Sequence, residues 1–395
     1  MCAGIGNEVR TVEFLIMTKL TIGFLRRGYS PTGGVEAYLK GLARGLLAEG
    51  HRAVLFGTDD WPVLEWPGGE ILRCGGRTLS EYAADSSRHR TGSGLQIDLT
   101  LSVEKVPGCD IYRTDEGLHA AWMDQREPYL NLLARIFQRI SPKHREKLRL
   151  EREIFKADRT LRVISISEKI SREIGEYYGY PASRVTLIRN GVPIQKKPDQ
   201  EAREKARKAL AIGDSDKIVL FVGTGWERKG LRFAIRAVEQ LRNPAVKLLV
   251  AGKGPSRKYL SPAVRFLGPT KDMGSLYAAA DLMIVPSVFE PFSLAALESM
   301  GAGVPVITSR VVGVSEIMIQ GIHGEILPDP SNIDAISEAI RRWLMLLEDP
   351  DKRVSVRDSC VALASQYTLE RNLRETLAVI RELMEEKRGQ VTGNR

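Results

Sequence analysis

The sequence is poor in the residues that build disulfide and metal scaffolds. Of its 395 residues four are cysteine, at positions 2, 74, 109 and 360, and five are histidine, with no HExxH among them. Cysteines so widely spaced argue against a disulfide framework or a zinc site and fit a reducing cytosol. No apolar run approaches the roughly 20 residues that a membrane-spanning helix needs. There is no low-complexity tract. Residues 1–16 carry Glu8, Arg10 and Glu13 where a signal peptide would have its apolar core. Residues 1–18 are therefore expected to be a dispensable extension ahead of the first strand, and the protein is expected in the cytoplasm. What remains is a chain with 43% hydrophobic and 27% charged residues and a formal net charge of +9. That describes a globular protein long enough for two α/β domains, with an excess of positive charge that favours an anionic partner.

The most informative stretch is ADLMIVPSVFEPFSLAALESMGAGVPVITS, residues 280–309. It reads as a buried strand ended by Pro286, a helix opened by Glu290-Pro291, a Gly301-Ala-Gly303 stop and a second buried strand. Glu290 precedes that helix and Glu298 lies two turns inside it. Between them the N–H groups of Phe292, Ser293 and Leu294 are expected to be free, as first-turn donors are. The spacing predicts an anion socket at the carboxyl end of a strand, with a carboxylate on either side. Spacing alone leaves open that Glu290 is a loop charge and Glu298 a solvated helix residue.

The first half opens in the same idiom. A strand over 20–26 leads through the loop 28–34, with Gly33-Gly34 at its end. An amphipathic helix follows, with apolar Val35, Tyr38, Leu39, Leu42, Ala43, Leu46 and Leu47 at helical spacing. The glycine pair would let a ligand approach the backbone, or would simply make a tight turn. Residues 75–98, rich in Gly, Ser, Arg and Thr, read as a mobile loop. Asp115, Glu116 and His119 follow a strand ending near Arg113, a place where active-site residues gather; His119 could equally be a structural helix-start residue. Residues 126–162 are helical and basic, with eleven Arg and Lys against five acids. A basic amphipathic segment fits an anionic membrane surface, and also an ordinary solvated face.

The second half restarts at 217 with a strand, the loop Gly223-Thr-Gly-Trp-Glu-Arg-Lys-Gly230 and a helix. The glycines do not have Walker spacing, since no Gly-Lys-Ser/Thr follows. Arg228-Lys229 would put two fixed cations at a strand's end, able to neutralise a leaving diphosphate, or would form a surface turn. Asp214-Ser-Asp216 mimics a metal-binding DxD but precedes a strand, and reads as a turn. Residues 195–204 are polar, as a linker should be.

Glu290-PFSLAAL-Glu298, with seven residues between the carboxylates, resembles the paired-glutamate motif of the family 4 retaining glycosyltransferases. Adjacent Arg228-Lys229 and the segment around His119 are similar to the lipopolysaccharide-core glucosyltransferase branch. Other members carry an arginine where this chain has Thr224. Many have Asn-Gly-Val-Asp where it has Pro193, so no ligand role passes to that position. The resemblance covers about residues 20–383 and implies the GT-B fold, two Rossmann-like domains facing across a cleft. It implies an N-terminal acceptor domain (19–192), a linker (193–215), a C-terminal nucleotide-sugar donor domain (216–365) and a last helix (366–395) crossing back to the first. The implied reaction moves a hexose, glucose above all, from a nucleotide diphosphate sugar to a hydroxyl of a glycan or glycolipid with retention. Arg228, Lys229 and the amides of Phe292, Ser293 and Leu294 would hold the diphosphate beside Gly33 and Gly34. Glu298 would hold the ribose and Glu290 the sugar, with Asp115 or His119 at the reacting face. No metal or cofactor is implied. An epimerase or phosphorylase on the same fold, or a basic nucleic-acid-binding module, is the alternative. The basic segment lacks the interleaved aromatics of a base-stacking surface, so no nucleic acid is expected.

Overall fold

The computed structural model describes residues 19–30, 34–92, 94–156, 158–194 and 196–393. The expected extension 1–18, Gly33 and Gln195 lie outside them. Apolar strands alternating with amphipathic helices fold as two parallel sheets, each covered on both faces. The first sheet takes β1 (Thr21–Leu25), β2 (Arg52–Gly57), β3 (Ile71–Arg73), β4 (Leu99–Ser102), β5 (Ile111–Arg113), β6 (Arg162–Ser165) and β7 (Val185–Leu187). The second takes β8 (Lys217–Val222), β9 (Val246–Ala251), β10 (Val264–Gly268), β11 (Leu282–Val285), β12 (Val306–Ser309) and β13 (Gly324–Leu327). Their strand orders are β3-β2-β1-β4-β5-β6-β7 and β10-β9-β8-β11-β12-β13. In each the order reverses beside the domain's first strand, at β1/β4 and at β8/β11, which opens a crevice at the carboxyl ends of those strands.

The helices of the first half are α1 (Gly34–Ala48), α2 (Leu79–Gly92), α3 (His119–Arg126), α4 (Leu132–Ile140), α5 (Pro142–Ile154) and α6 (Glu168–Tyr178). Those that follow are α7 (Gln200–Ala209), α8 (Leu231–Gln240), α9 (Met273–Ala279), α10 (Leu294–Gly301), α11 (Ile333–Leu346), α12 (Pro350–Ala364) and α13 (Leu369–Gly393). One face of the first sheet is covered by α1 together with α13. Leu377, Val379, Ile380 and Leu383 of the terminal helix share a core with Leu39, Leu42 and Leu46 of α1. Lys387 pairs with Asp110 at 2.6 Å and the Tyr38 hydroxyl meets Thr376 at 3.2 Å. The other face carries α2, α3, α5 and α6.

Three local expectations change. Residues 75–98 are not a mobile loop, since they hold α2. Thr78 and Glu81 form a reciprocal cap, with Glu81 Oε2 accepting from the Thr78 N–H at 3.1 Å and Thr78 Oγ1 from the Glu81 N–H at 3.2 Å. Tyr82 is buried and its hydroxyl donates to the Phe56 carbonyl at 2.7 Å. The polar stretch from 195 to 204 is not an open linker either. Asp199 caps α7, whose Arg203 and Arg207 reach Asp281 at 2.6 and 3.7 Å and so dock the helix on the second domain. And α10 begins at Leu294 rather than at Glu290-Pro291, because Phe292 is drawn sideways: its carbonyl accepts from the Val314 N–H at 2.8 Å.

Ile380 is 1% exposed and lies where the chain returns to the first domain. Ile380→Ala should cost about 2–5 kcal/mol, the range for truncating a buried aliphatic side chain. A urea titration checks this; a midpoint indistinguishable from the unaltered protein would mean that α13 is not docked.

Candidate active site in the interdomain cleft

Two loops of the second domain meet in one ion cluster. The loop after β8 carries Arg228 and Lys229, and the loop after β11 carries Glu290. Arg228 Nη1 and Lys229 Nζ lie 2.7 and 3.0 Å from the same Glu290 oxygen. Arg228 Nη1 also donates to the Phe289 carbonyl at 2.8 Å. Burial alone would raise the Glu290 pKa; Lys229 and Arg228 outweigh it and hold the carboxyl below its ordinary range. Past Glu290 the chain turns at Ser293, whose φ of +86° is unusual for a residue with a side chain. The Ser293 hydroxyl is buried with no partner, and among the described residues the N–H groups of Phe292, Ser293 and Leu294 have no acceptor. Unpaired donors gathered at the start of α10 form a socket for an anion. Further along α10, Glu298 accepts from the Tyr277 hydroxyl at 2.7 Å. Burial pushes its carboxyl pKa up, and the Tyr277 hydrogen bond only partly offsets this.

The first domain supplies the facing wall. Gly34 opens α1 so close to α10 that a Cβ there would sit 3.1 Å from Leu294 Cδ1. Gly117 has φ +66°, and a Cβ on it would meet Phe289 and Pro291 at 2.8 and 2.9 Å. This close approach brings Asp115, Glu116 and His119 to the Glu290 loop. A cavity of about 490 Å³ lies between them, lined by Asp115, His119, Lys147, Arg228 and Glu290 among others. A second of about 330 Å³ runs past Gly34, Arg113, Asp115, Leu294 and Glu298. Asp115 borders both. One of its oxygens pairs with Arg113 Nε at 3.1 Å, and the other is buried without a partner. Glu116 is half exposed and 3.8 Å from Lys147. His119 Nε2 is 3.1 Å from His144 Nδ1, and its ring stacks on Trp122. Burial, then Lys147 and Lys105, push its pKa down to about 3.

Comparison with known proteins bears on the fold and on the second domain. Residues 216–345 match the family model described as "Glycosyl transferases group 1". The chain is 24% identical over 347 residues to the lipopolysaccharide glucosyltransferase WaaG of Escherichia coli strain K12, spanning 82% of this chain and 90% of that one. The crystal structure of WaaG superposes with a TM-score of 0.76 at 22% identity, covering 91% and 99% of the two chains. The chain thus has the GT-B fold, with a second domain similar to the group 1 glycosyltransferases. An uncharacterized glycosyltransferase of Methanocaldococcus jannaschii is 32% identical over 238 residues, 56% of this chain; the match spans only 60% of that relative's length. An Anabaena protein, HepE, crystallised with UDP and glucose, superposes with a TM-score of 0.68 at 20% identity over 92% of this chain and all of its own.

Several residues of this candidate site gave no sequence signal. Lys105 and Glu151 form a buried pair at 3.1 Å beneath the Asp115–His119 turn. Lys105 donates to the Gly117 carbonyl at 3.0 Å, and Glu151 accepts from the His119 N–H at 2.6 Å and the Tyr178 hydroxyl at 2.6 Å. Glu316 is 148 residues from Glu168 in sequence, yet its carboxylate caps α6 through the N–H groups of Glu168 and Lys169 at 2.8 and 2.7 Å. Among the described residues, Cys74, Asp85 and His89 are the group with metal-ligand spacing; they stand at the β3–α2 edge and line neither cleft cavity.

The pKa of His119, about 3 against an ordinary 6.5, gives a pH prediction. The folded protein leaves the ring neutral where the unfolded chain protonates it. Stability from this residue is complete above pH ~6.5 and declines as pH falls from there toward 3. His119→Gln should flatten that decline. Urea midpoints at pH 7.5 and 5.0 test it, and an equal drop in both proteins would remove His119 as a source.

Proposed function

We propose that this protein is a metal-independent, retaining hexosyltransferase that uses a nucleotide diphosphate sugar, with UDP-glucose the favoured donor. The observation that carries the reading is the ion cluster of Glu290 with Arg228 and Lys229 next to three unpaired amides, with Glu298 farther along the same helix. In the proposed reaction the anomeric carbon's bond to the diphosphate oxygen breaks and its bond to the acceptor oxygen forms on the same face. The acceptor's hydroxyl proton passes to the departing diphosphate. Arg228, Lys229 and the amides of Phe292, Ser293 and Leu294 stabilise charge on the leaving group. Gly33-Gly34 lets the diphosphate lie against the backbone. Glu298 accepts from the ribose hydroxyls and Glu290 from those of the sugar. Asp115 and His119 face the reacting carbon; the unpartnered Asp115 oxygen and the neutral His119 ring are suited to contact an uncharged sugar. With this much fixed positive charge, the leaving group needs no metal ion.

The first sheet with α13 is proposed as the acceptor domain, and β8–β13 with their helices as the donor domain. The likeness to the lipopolysaccharide glucosyltransferase supports glucose as the sugar and a glycan or glycolipid, such as lipopolysaccharide core, as the acceptor. No helix among the described residues is long and apolar enough to cross a membrane. Yet α4 leaves Leu132, Leu133 and Phe137 67–73% exposed beside Arg135 and Arg139. Apolar residues standing in water within a basic segment suit a cytoplasmic enzyme that rests reversibly on an anionic membrane.

A UDP titration and a UDP-release assay test the reading. Glu298→Ala should weaken UDP binding by about 1.5–3 kcal/mol, through loss of a charged acceptor. Arg228→Ala should lower kcat far more than it raises KM, and EDTA should leave the unaltered rate intact. Unchanged UDP affinity in Glu298→Ala would take that carboxylate out of the nucleotide site.

The protein should co-sediment with anionic but not neutral vesicles, and high salt should release it. Replacing Arg135, Arg139, Lys143 and Arg145 with Gln should abolish binding while UDP affinity stays the same. Equal binding to neutral vesicles would count against the electrostatic part of the reading.

A further inference from the structure

We infer that the acceptor is an extended, anionic saccharide lying in a trough that runs from the reacting cavity across the domain seam. The inference rests on the glycosyltransferase reading and adds the acceptor's chemical class. Beyond the 490 Å³ cavity lies another of about 700 Å³, and Trp122 and Arg228 line both, so the two join there. Its walls come from both domains: Arg126 and Tyr129 from the first, and the loops after β8 and β9, with Trp226, Lys253 and Tyr259, from the second. Neither Gly34 nor Glu298 borders it, so it extends from the sugar end of the cleft and not from the nucleotide end. Cavities of roughly 300–1,000 Å³ each hold a small ligand. The first suffices for the transferred hexose and the ring it joins, and the second has room for further rings.

The charge along this trough is one-sided. Every acid that lines it is engaged. Asp115 pairs with Arg113, Glu116 faces Lys147, Glu290 holds Arg228 and Lys229, and Glu227 pairs with Arg232 at 2.9 Å and accepts from the Tyr259 hydroxyl at 3.0 Å. Lys143, Lys253 and Lys258 have no acidic partner among the described residues, and Arg126 forms no ion pair, Glu227 being the acid that bears on it from across the cavity. They are spread over both cavities, so the positive potential follows the trough, as a ligand with repeated negative groups requires. The Arg126 guanidinium is held 4.4 Å from the Trp122 ring, which presets its planar fork of donors for a carboxylate or phosphate. Trp122 is already stacked on His119 and covered by Arg126. It therefore offers no free face to a nucleobase, which favours a charged saccharide over a nucleic acid.

Calorimetry on the full chain at 0.15 M salt, with UDP saturating, tests this with three probes: a heparin-derived hexasaccharide, maltohexaose and single-stranded hexathymidylate. The sulfated hexasaccharide should bind at least tenfold more tightly than either of the others. The double variant K253Q/K258Q, whose side chains are exposed and carry no contact of the fold, should weaken it at least tenfold, R126Q should do likewise, and neither should change UDP affinity. Absence of hexasaccharide binding, equal binding of maltohexaose or hexathymidylate, or full binding by both variants would each overturn the inference. Hexasaccharide binding by a protein that failed to bind UDP would sink the transferase reading while leaving the trough a saccharide site.

Discussion

The second domain's edge of the cleft is arranged about one largely buried carboxylate. Glu290 could not stay ionised in its surroundings without Arg228 and Lys229, and those cations would not be fixed without Glu290. The cluster joins the loops after β8 and β11 into one body, reinforced by the Val288 N–H donating to the Arg228 carbonyl at 3.0 Å. In the proposed role an arriving diphosphate competes for the two cations. As they turn toward it, the carboxylate is freed to accept hydrogen bonds from sugar hydroxyls. In that role the same charges would both hold the site in shape and recognise the ligand.

The donor loop also bears on how the domains meet. The Glu290 and Phe292 carbonyls accept from the Gly313 and Val314 N–H groups at 3.1 and 2.8 Å. Three residues on, Glu316 reaches over to cap α6 of the first domain. A carboxylate at a helix start satisfies two orphan amides and the helix dipole together. On the opposite side Gly117 leaves no room for a Cβ beside Phe289 and Pro291. The segment that would grip the donor is therefore tied on both flanks to the domain that would present the acceptor.

The acceptor wall depends on a support hidden beneath it. Lys105 and Glu151 are buried at 3% and 0% side-chain exposure, a pair tolerable only because each is also hydrogen-bonded, to Gly117, His119 and Tyr178. They fix the turn that presents Asp115 and His119. From the same region α5 adds Lys143, His144 and Lys147 to the cavity. The basic segment 126–162 thus divides its work. α4 turns apolar residues outward, while α3 and α5 turn cations inward.

The sequence alone determined the fold class, because parallel strands buried on both faces leave apolar runs separated by amphipathic helices, and these two halves repeat that pattern. Local spacing within single βα units also placed Glu290, Glu298 and Arg228-Lys229 near strand ends, and the resemblance to a known family, not the spacing, singled them out as site candidates. Tertiary structure alone decided the rest. That Thr78 and Glu81 start a helix was locally written, but its apolar face is only Leu79, Tyr82 and Ala83, too sparse to outweigh the polar residues until Phe56 supplies a partner. The approach of Arg228 to Glu290, of Glu316 to α6 and of Lys105 to Glu151 spans 62, 148 and 46 residues. Nothing local encodes such pairs: a charge's partner is set by where two chain segments pack, and its ionisation by the burial that packing creates.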